Sequence, residues 1–167
     1  MTSGFWVHPE GLKKILVNGA VGQIGSELTM VLRQRFGADN VVAAGHTTPP
    51  SPALRDSGPY ETLDVTNRDT VTEVLDKHGI NEVYHLAAIL SGVGEKYPHR
   101  CWQVNIDGLH NILEIARERP GMRLFCPSSI AVFGPRWRSP LPKLCDRVER
   151  PTSSGPGLVG EYGLQGG

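Results

Sequence analysis

Three glycines in seven residues, Gly19-Ala-Val-Gly22-Gln-Ile-Gly25, constrain the fold of this chain more than any other feature. They follow an apolar strand candidate, Ile15-Leu-Val17, and open a helix candidate from Gln23 to Phe36. A strand that stops at glycines and restarts as a helix offers an anion bare backbone N–H groups and the positive end of a helix dipole. The setting therefore predicts a site for a nucleotide pyrophosphate; the alternative is a glycine turn with a structural role only. The spacing is GxxGxxG, a variant of the GxGxxG dinucleotide fingerprint.

Strand and helix signals alternate through Gly134. Strands are expected at Lys13–Asn18, Asn40–Ala44, Glu61–Asp64, Glu82–Leu86 and Arg123–Cys126. The first helix, 23–36, stacks Ile24, Leu28, Val31 (or Leu32) and Phe36 at helical steps and ends at Gly37. A second, capped by Thr66 or Asn67, runs to His78 and ends at Gly79; a longer one covers roughly His99–Arg119 and closes at Pro120-Gly121. Thr47–Pro59, rich in Pro, Gly and Ser, reads as a loop. Apolar strands separated by helices pair in parallel through right-handed crossovers. The fold class is thus α/β, a Rossmann-like doubly wound sheet with strand order 3-2-1-4-5. Residues 1–11 form an N-terminal extension, 12–134 the nucleotide-binding domain, and 135–167 an irregular, disordered tail. A basic peptide-binding tail is the other reading of that last segment.

The 167 residues suffice for one domain with a real core. Seventeen basic and seventeen acidic side chains cancel, which argues against nucleic-acid or anionic-membrane partners. Cys101, Cys126 and Cys145 have no CxxC spacing and read as reduced thiols, with no zinc site. Cys126, inside a strand, is expected to pack rather than react. His78, His85, His99 and His110 lack close ligand spacing, so no metal is expected. With neither a membrane-length apolar run nor a secretory signal, the expected location is cytoplasmic.

Five ordered segments carry a family resemblance: the glycine motif; Arg35-Phe-Gly-Ala-Asp-Asn-Val-Val-Ala43; His85-Leu-Ala-Ala-Ile-Leu-Ser-Gly-Val-Gly-Glu95; Val104-Asn-Ile-Asp-Gly-Leu-His-Asn-Ile-Leu113; and Leu124-Phe-Cys-Pro-Ser-Ser-Ile-Ala-Val-Phe-Gly134. Together, over about residues 12–135, they resemble the extended short-chain dehydrogenase/reductases, the NAD-dependent epimerase/dehydratase family. Within it the combination is most similar to the short-chain-type L-threonine 3-dehydrogenases. The resemblance implies NAD as cofactor, with NADP left open, and a small-molecule substrate. Gly19, Gly22 and Gly25 would cradle the pyrophosphate, with Gln23 and Ile24 presenting N–H groups. Asp64 and Val65 would lie beside the adenine, Asp64 being otherwise a turn or cap residue. Leu86, Ala87 and Ala88 would line the nicotinamide ribose at the switch-point crevice, where such sheets bind ligands, or else be core. Asn105 would brace the active site, or be an inert helical residue. Ser91 falls on the substrate side. Ser129 matches the catalytic serine or threonine, with Ser128 its rival.

Two departures from the family pattern stand out. An acid at the end of the second strand normally holds the adenosine ribose, but counting about 20 residues from Gly25 reaches Gly45, within Ala44-Gly45-His46. Losing such a charged hydrogen bond removes about 1.5–3 kcal/mol, so weakened NAD binding is expected. Second, the family's base is a tyrosine made acidic enough by a lysine four residues later, since tyrosine alone has a pKa of about 10. Beyond Gly134 the only tyrosine is Tyr162, followed by Gly-Leu-Gln-Gly, and no lysine follows Lys143.

These departures point to a truncated or frameshifted product, inactive alone. The fifth strand is then expected at a sheet edge. The helix carrying Trp102, Ile106, Leu109, Leu113 and Ala116, with Val104, Ile112 and Ile115 on a second face, is expected to lack one partner. Homodimerisation or looser association through that helix and strand is the expected result. A sugar-nucleotide epimerase or dehydratase fragment, and a non-catalytic NAD-binding or interaction module, are the alternative functions.

Overall fold

The computed structural model describes residues 13–128. By its contacts the chain divides into Met1–Pro127 and Ser128–Gly167, and every described helix and strand belongs to the first unit. The expected N-terminal extension, the 135–167 tail and Ser129 lie outside the described residues.

Five parallel strands form one sheet in the order β3-β2-β1-β4-β5. They are β1 (Ile15–Asn18), β2 (Val41–Gly45), β3 (Tyr60–Thr62), β4 (Glu82–His85) and β5 (Arg123–Phe125). In register, Val17 lies opposite Ala43 on one side and Tyr84 on the other. The sheet thus has the order that the strand–helix alternation implies, and among the described residues β5 pairs only with β4. Because side chains alternate across a strand, the sheet separates two cores. Leu16, Val42, Ala44 and Val83 pack with helices α3 (Arg68–His78) and α6 (Gly108–Glu118) through Val71, Leu75, Ile112 and Ile115. Ile15, Val17, Val41 and Ala43 pack with α1 (Gln23–Phe36) and α2 (Pro52–Asp56) through Leu32 and Leu54.

Helix α1 has the expected span, and of its expected apolar stack Leu28, Leu32 and Phe36 face the core while Ile24 and Val31 do not. Gly25, Thr29 and Leu32 are buried, whereas Ile24 and Val31 are 70% and 56% exposed. Gly25 is the cause: it lies so close to the Gly19 carbonyl that this side of the helix must face the turn. Helix α3 begins at Asn67, whose side chain accepts from the Asp69 and Thr70 amides. It ends at Gly79, in the left-handed conformation that glycine adopts without strain.

Three expectations need correcting. The 47–59 segment is not a plain loop: Ser51 caps α2, and Arg33, buried in α1, holds the stretch from Leu54 to Pro59 in place. Its guanidinium donates to the carbonyls of Val41 (3.2 Å), Leu54 (2.7 Å) and Pro59 (2.5 Å) and to the Ser57 hydroxyl (2.5 Å). The long helix is in fact α5 (Pro98–Trp102), a π-helical turn (Gln103–Asp107) and α6, preceded by an unforeseen short α4 (Ser91–Lys96). Of the two apolar faces read from the sequence, the one with Ile112 and Ile115 is buried, while Trp102, Ile106 and Leu113 on the other are exposed. Finally, β5 stops at Phe125, leaving Cys126 exposed rather than packed. That edge strand is fastened to β4 by Glu82, which pairs with Arg123 and accepts from the Tyr84 hydroxyl at 2.8 Å.

No helix among the described residues is long and apolar enough to cross a membrane.

Candidate functional site: the glycine turn and the strand-end crevice

β1 ends in a turn that only glycine can make. Gly19 has φ +81°, and a Cβ there would meet the Ala87 nitrogen and the Leu86 carbonyl carbon at 2.6 Å. The turn is fixed from the other side by β2, since the Gly19 and Ala20 amides both donate to the Ala44 carbonyl, at 3.0 and 2.9 Å. The Gly22 amide donates back to the Gly19 carbonyl at 3.1 Å, and extended backbone at Gly22 starts α1 with no side-chain cap. A Cβ at Gly25 would run into the Gly19 carbonyl oxygen and lie 2.8 Å from the Ala20 Cα. The glycines therefore let backbone pass against backbone at three levels of one tight turn.

The first bond of the α1 ladder is Ser26 N–H to the Gly22 carbonyl, at 2.9 Å. The amides of Gln23, Ile24 and Gly25 precede it and have no helical acceptor. No acidic side chain occupies the first turn to neutralise the dipole. Gln23 and Ile24 are exposed there.

The opposite wall is the end of β4. The Leu86 amide donates to the Asn18 carbonyl at 2.9 Å, and Leu86 and Ala87 are half-buried while Ala88 is exposed. Beneath them Asn18 Nδ2 donates to His85 Nδ1 at 3.0 Å, so the ring proton sits on Nε2. Burial pushes His85 down to about pKa 4, so the pair is neutral near pH 7. Asn105, in the π-helical turn, clamps the following loop: its side-chain oxygen accepts from the Ile89 amide at 2.8 Å, and its Nδ2 donates to the Ile89 carbonyl at 2.9 Å. π-helical insertions of this kind recur where a helix must aim one side chain at a site.

Past β3, Asp64 closes a turn by accepting from the Thr66 amide (2.9 Å) and hydroxyl (2.7 Å), and its second oxygen faces His46 Nε2 at 3.5 Å. Burial alone would raise its pKa. The Thr66 bonds and the nearby His46 and Arg100 outweigh that and hold it below the usual carboxylate range. Val65 is buried against Gly108, where a Cβ would come within 2.7 Å of its methyl, so its side chain serves α6 packing.

Residues 15–155 match the NAD dependent epimerase/dehydratase family. The chain belongs to that family. An uncharacterized epimerase/dehydratase of Staphylococcus saprophyticus is 40% identical over 145 residues, covering 85% of this chain and 44% of its own length. The solved L-threonine dehydrogenase of Clostridium difficile is 43% identical with a TM-score of 0.68, over 73% of this chain and 38% of that one. The UDP-glucose 4-epimerase of Stenotrophomonas maltophila, solved with bound NAD, shares the fold at 24% identity and TM-score 0.66, over 77% and 40%. The chain thus spans about two fifths of the length of the relatives it matches.

For this family member the described site fits a dinucleotide. The cradle is closed to a side chain at Gly19 and Gly25 and tight at Gly22, and three amides without a helical acceptor head the helix beside it. Asp64, Leu86, Ala87, Ala88 and Asn105 border the ends of β1, β3 and β4, so the turn and crevice meet at one end of the sheet. Ser91 opens α4, and Ser128 is the last described residue. Among the described residues no His, Cys, Asp and Glu cluster could hold a metal.

Sequence reasoning missed Tyr60, whose hydroxyl lies where a side chain at Gly45 would begin, 2.5 Å from that Cβ position. It also missed the Asn18–His85 pair. The usable signal was two polar residues ending otherwise apolar strands, Asn18 after Ile-Leu-Val and His85 after Val-Tyr.

Proposed function

We propose that this chain is the dinucleotide-binding part of an NAD-dependent oxidoreductase acting on L-threonine, oxidising its 3-hydroxyl to give 2-amino-3-oxobutanoate. The observation that carries the reading is the closed glycine cradle at the head of α1, facing the Asn105-clamped end of β4. The likeness to threonine dehydrogenases at 43% identity, against 24% for the epimerase, favours this substrate over a nucleotide sugar.

When bound, the nicotinamide supplies the hydride acceptor. The chain's own contribution is to hold the pyrophosphate on the Gln23, Ile24 and Gly25 amides and to shape the crevice with Leu86, Ala87 and Ala88. Alcohol oxidation also needs a base for the hydroxyl proton. Within these 167 residues the Tyr-x-x-x-Lys pair that would serve is absent. The proposal is therefore binding without turnover, with NAD affinity weakened by Gly45.

The test adds NAD and L-threonine to the purified chain, follows NADH absorbance, and titrates NAD by calorimetry. Binding weaker than low-micromolar and no NADH are expected. Steady NADH production, or low-micromolar binding, would refute the corresponding half of the proposal.

A further inference from the structure

The end of β2 lies against the glycine turn, because the Ala44 carbonyl accepts from both Gly19 and Ala20. A ribose attached to a pyrophosphate in that turn must pass this strand end, which is why an acid about 20 residues beyond the last glycine normally meets it. Here the position is Gly45, and its space is taken. A Cβ would lie 2.5 Å from the Tyr60 hydroxyl and 3.0 Å from Val21 Cγ1, and Val21 belongs to the glycine turn itself. Tyr60 reaches that spot from β3, whose register sets it beside Ala43 two residues back along β2.

Among the described residues the Tyr60 hydroxyl has no hydrogen-bond partner. No buried side-chain oxygen or nitrogen lacks one there, so this hydroxyl opens to solvent. Partial burial raises its pKa, which keeps it neutral. The Asp64 carboxylate near this strand end is occupied by Thr66 and His46.

We propose that the Tyr60 hydroxyl, standing at the end of β2 in the space vacated at Gly45, reads the adenosine ribose, and that this neutral reader admits both NAD and NADP. The inference rests on the dinucleotide reading of the site and adds the group that sets its selectivity. A carboxylate accepts from the ribose hydroxyls and repels a 2′-phosphate. A phenol makes one neutral hydrogen bond to a 2′-hydroxyl and carries no charge to exclude the phosphate.

The experiment titrates ADP, 2′-deoxy-ADP, NAD and NADP into the full chain by NMR, for wild type and Tyr60→Phe. A neutral hydrogen bond is worth about three- to tenfold. Tyr60→Phe should weaken ADP by about that factor and leave 2′-deoxy-ADP unchanged, while wild type binds NAD and NADP within about tenfold of each other. The double variant Gly45→Asp with Tyr60→Phe should become selective for NAD. An unchanged ADP to 2′-deoxy-ADP ratio in Tyr60→Phe, or NADP rejected by about a hundredfold in wild type, would overturn the inference and leave the dinucleotide site standing. Binding of none of the four would overturn both.

Discussion

His85 shows how one side chain converts position into pH dependence. Its imidazole is 3% exposed and accepts from Asn18, a setting in which the charged form has lost its water and gained nothing. The folded pKa of about 4 lies below the ordinary value of 6.5, so between the two the unfolded chain binds the extra proton. Stability therefore rises with pH across this window and is lost as pH falls through it. From pH 7 to pH 5 the loss from this one group is about 2 kcal/mol. Urea midpoints measured at both values should show it, and His85→Gln, which keeps an acceptor for Asn18 but does not titrate, should remove most of it. Equal pH slopes in the two proteins would count against this origin. Asn18 and His85 were hard to read in advance because each looks like an ordinary strand-end polar residue. Only the pairing of β1 with β4, 67 residues apart, makes them one unit.

At the level of elements, the legible features are those the chain writes locally. Helices α1 and α3 announce themselves through glycine stops at Gly37 and Gly79 and the cap at Asn67, all within a turn of the helix ends. Helix α2 offers only its Ser51-Pro52 start, set in a stretch rich in turn residues, and is held besides by Arg33, about twenty residues earlier in the chain. The π-helical turn at Gln103–Asp107 was invisible for a related reason: one extra residue per turn leaves a sequence that still looks helical. Gly45 was legible as a missing acid, whereas Tyr60 as its replacement required the β2–β3 register. The Arg33 arrangement makes a specific prediction. Its buried guanidinium donates to three backbone carbonyls and the Ser57 hydroxyl, so Arg33→Met removes four hydrogen bonds that tie α1 to this segment, leaving only the Ser57 hydroxyl on the Leu54 carbonyl and the Ala43 amide on that of Pro59. A loss of about 2–4 kcal/mol is expected in denaturant unfolding, with faster hydrogen exchange across Pro52–Pro59. A variant as stable as wild type would show that the segment is held by something else.

At the scale of the whole molecule, the described residues expose large apolar side chains on several elements, among them Ile24 and Val31 on α1 and Leu90 and Val93 around α4. Trp102 (63% exposed), Ile106 and Leu113 are exposed along the α5–α6 run, and Phe125 is exposed on β5, an edge strand among the described residues. Water disfavours such exposed apolar area, and an edge strand offers unpaired backbone besides. We expect concentration-dependent self-association, visible as a rising sedimentation coefficient between micromolar and hundred-micromolar protein. Replacing Trp102 and Ile106 with lysine should suppress it by adding charge where packing is not needed. A single monomeric species across the whole range would remove this expectation.

The bond between the glycine turn and the Ala44 carbonyl has a consequence for how such a site changes over time or by design. The loop that holds an anion carries no independent address; its coordinates are borrowed from the neighbouring strand. Slipping that strand by a single residue would turn the carbonyl at that level away from the loop, toward the strand on the other side, and release the loop even with all three glycines intact. Transplanting the seven-residue motif alone should therefore fail, whereas moving it together with Val41–Gly45 should carry the geometry across.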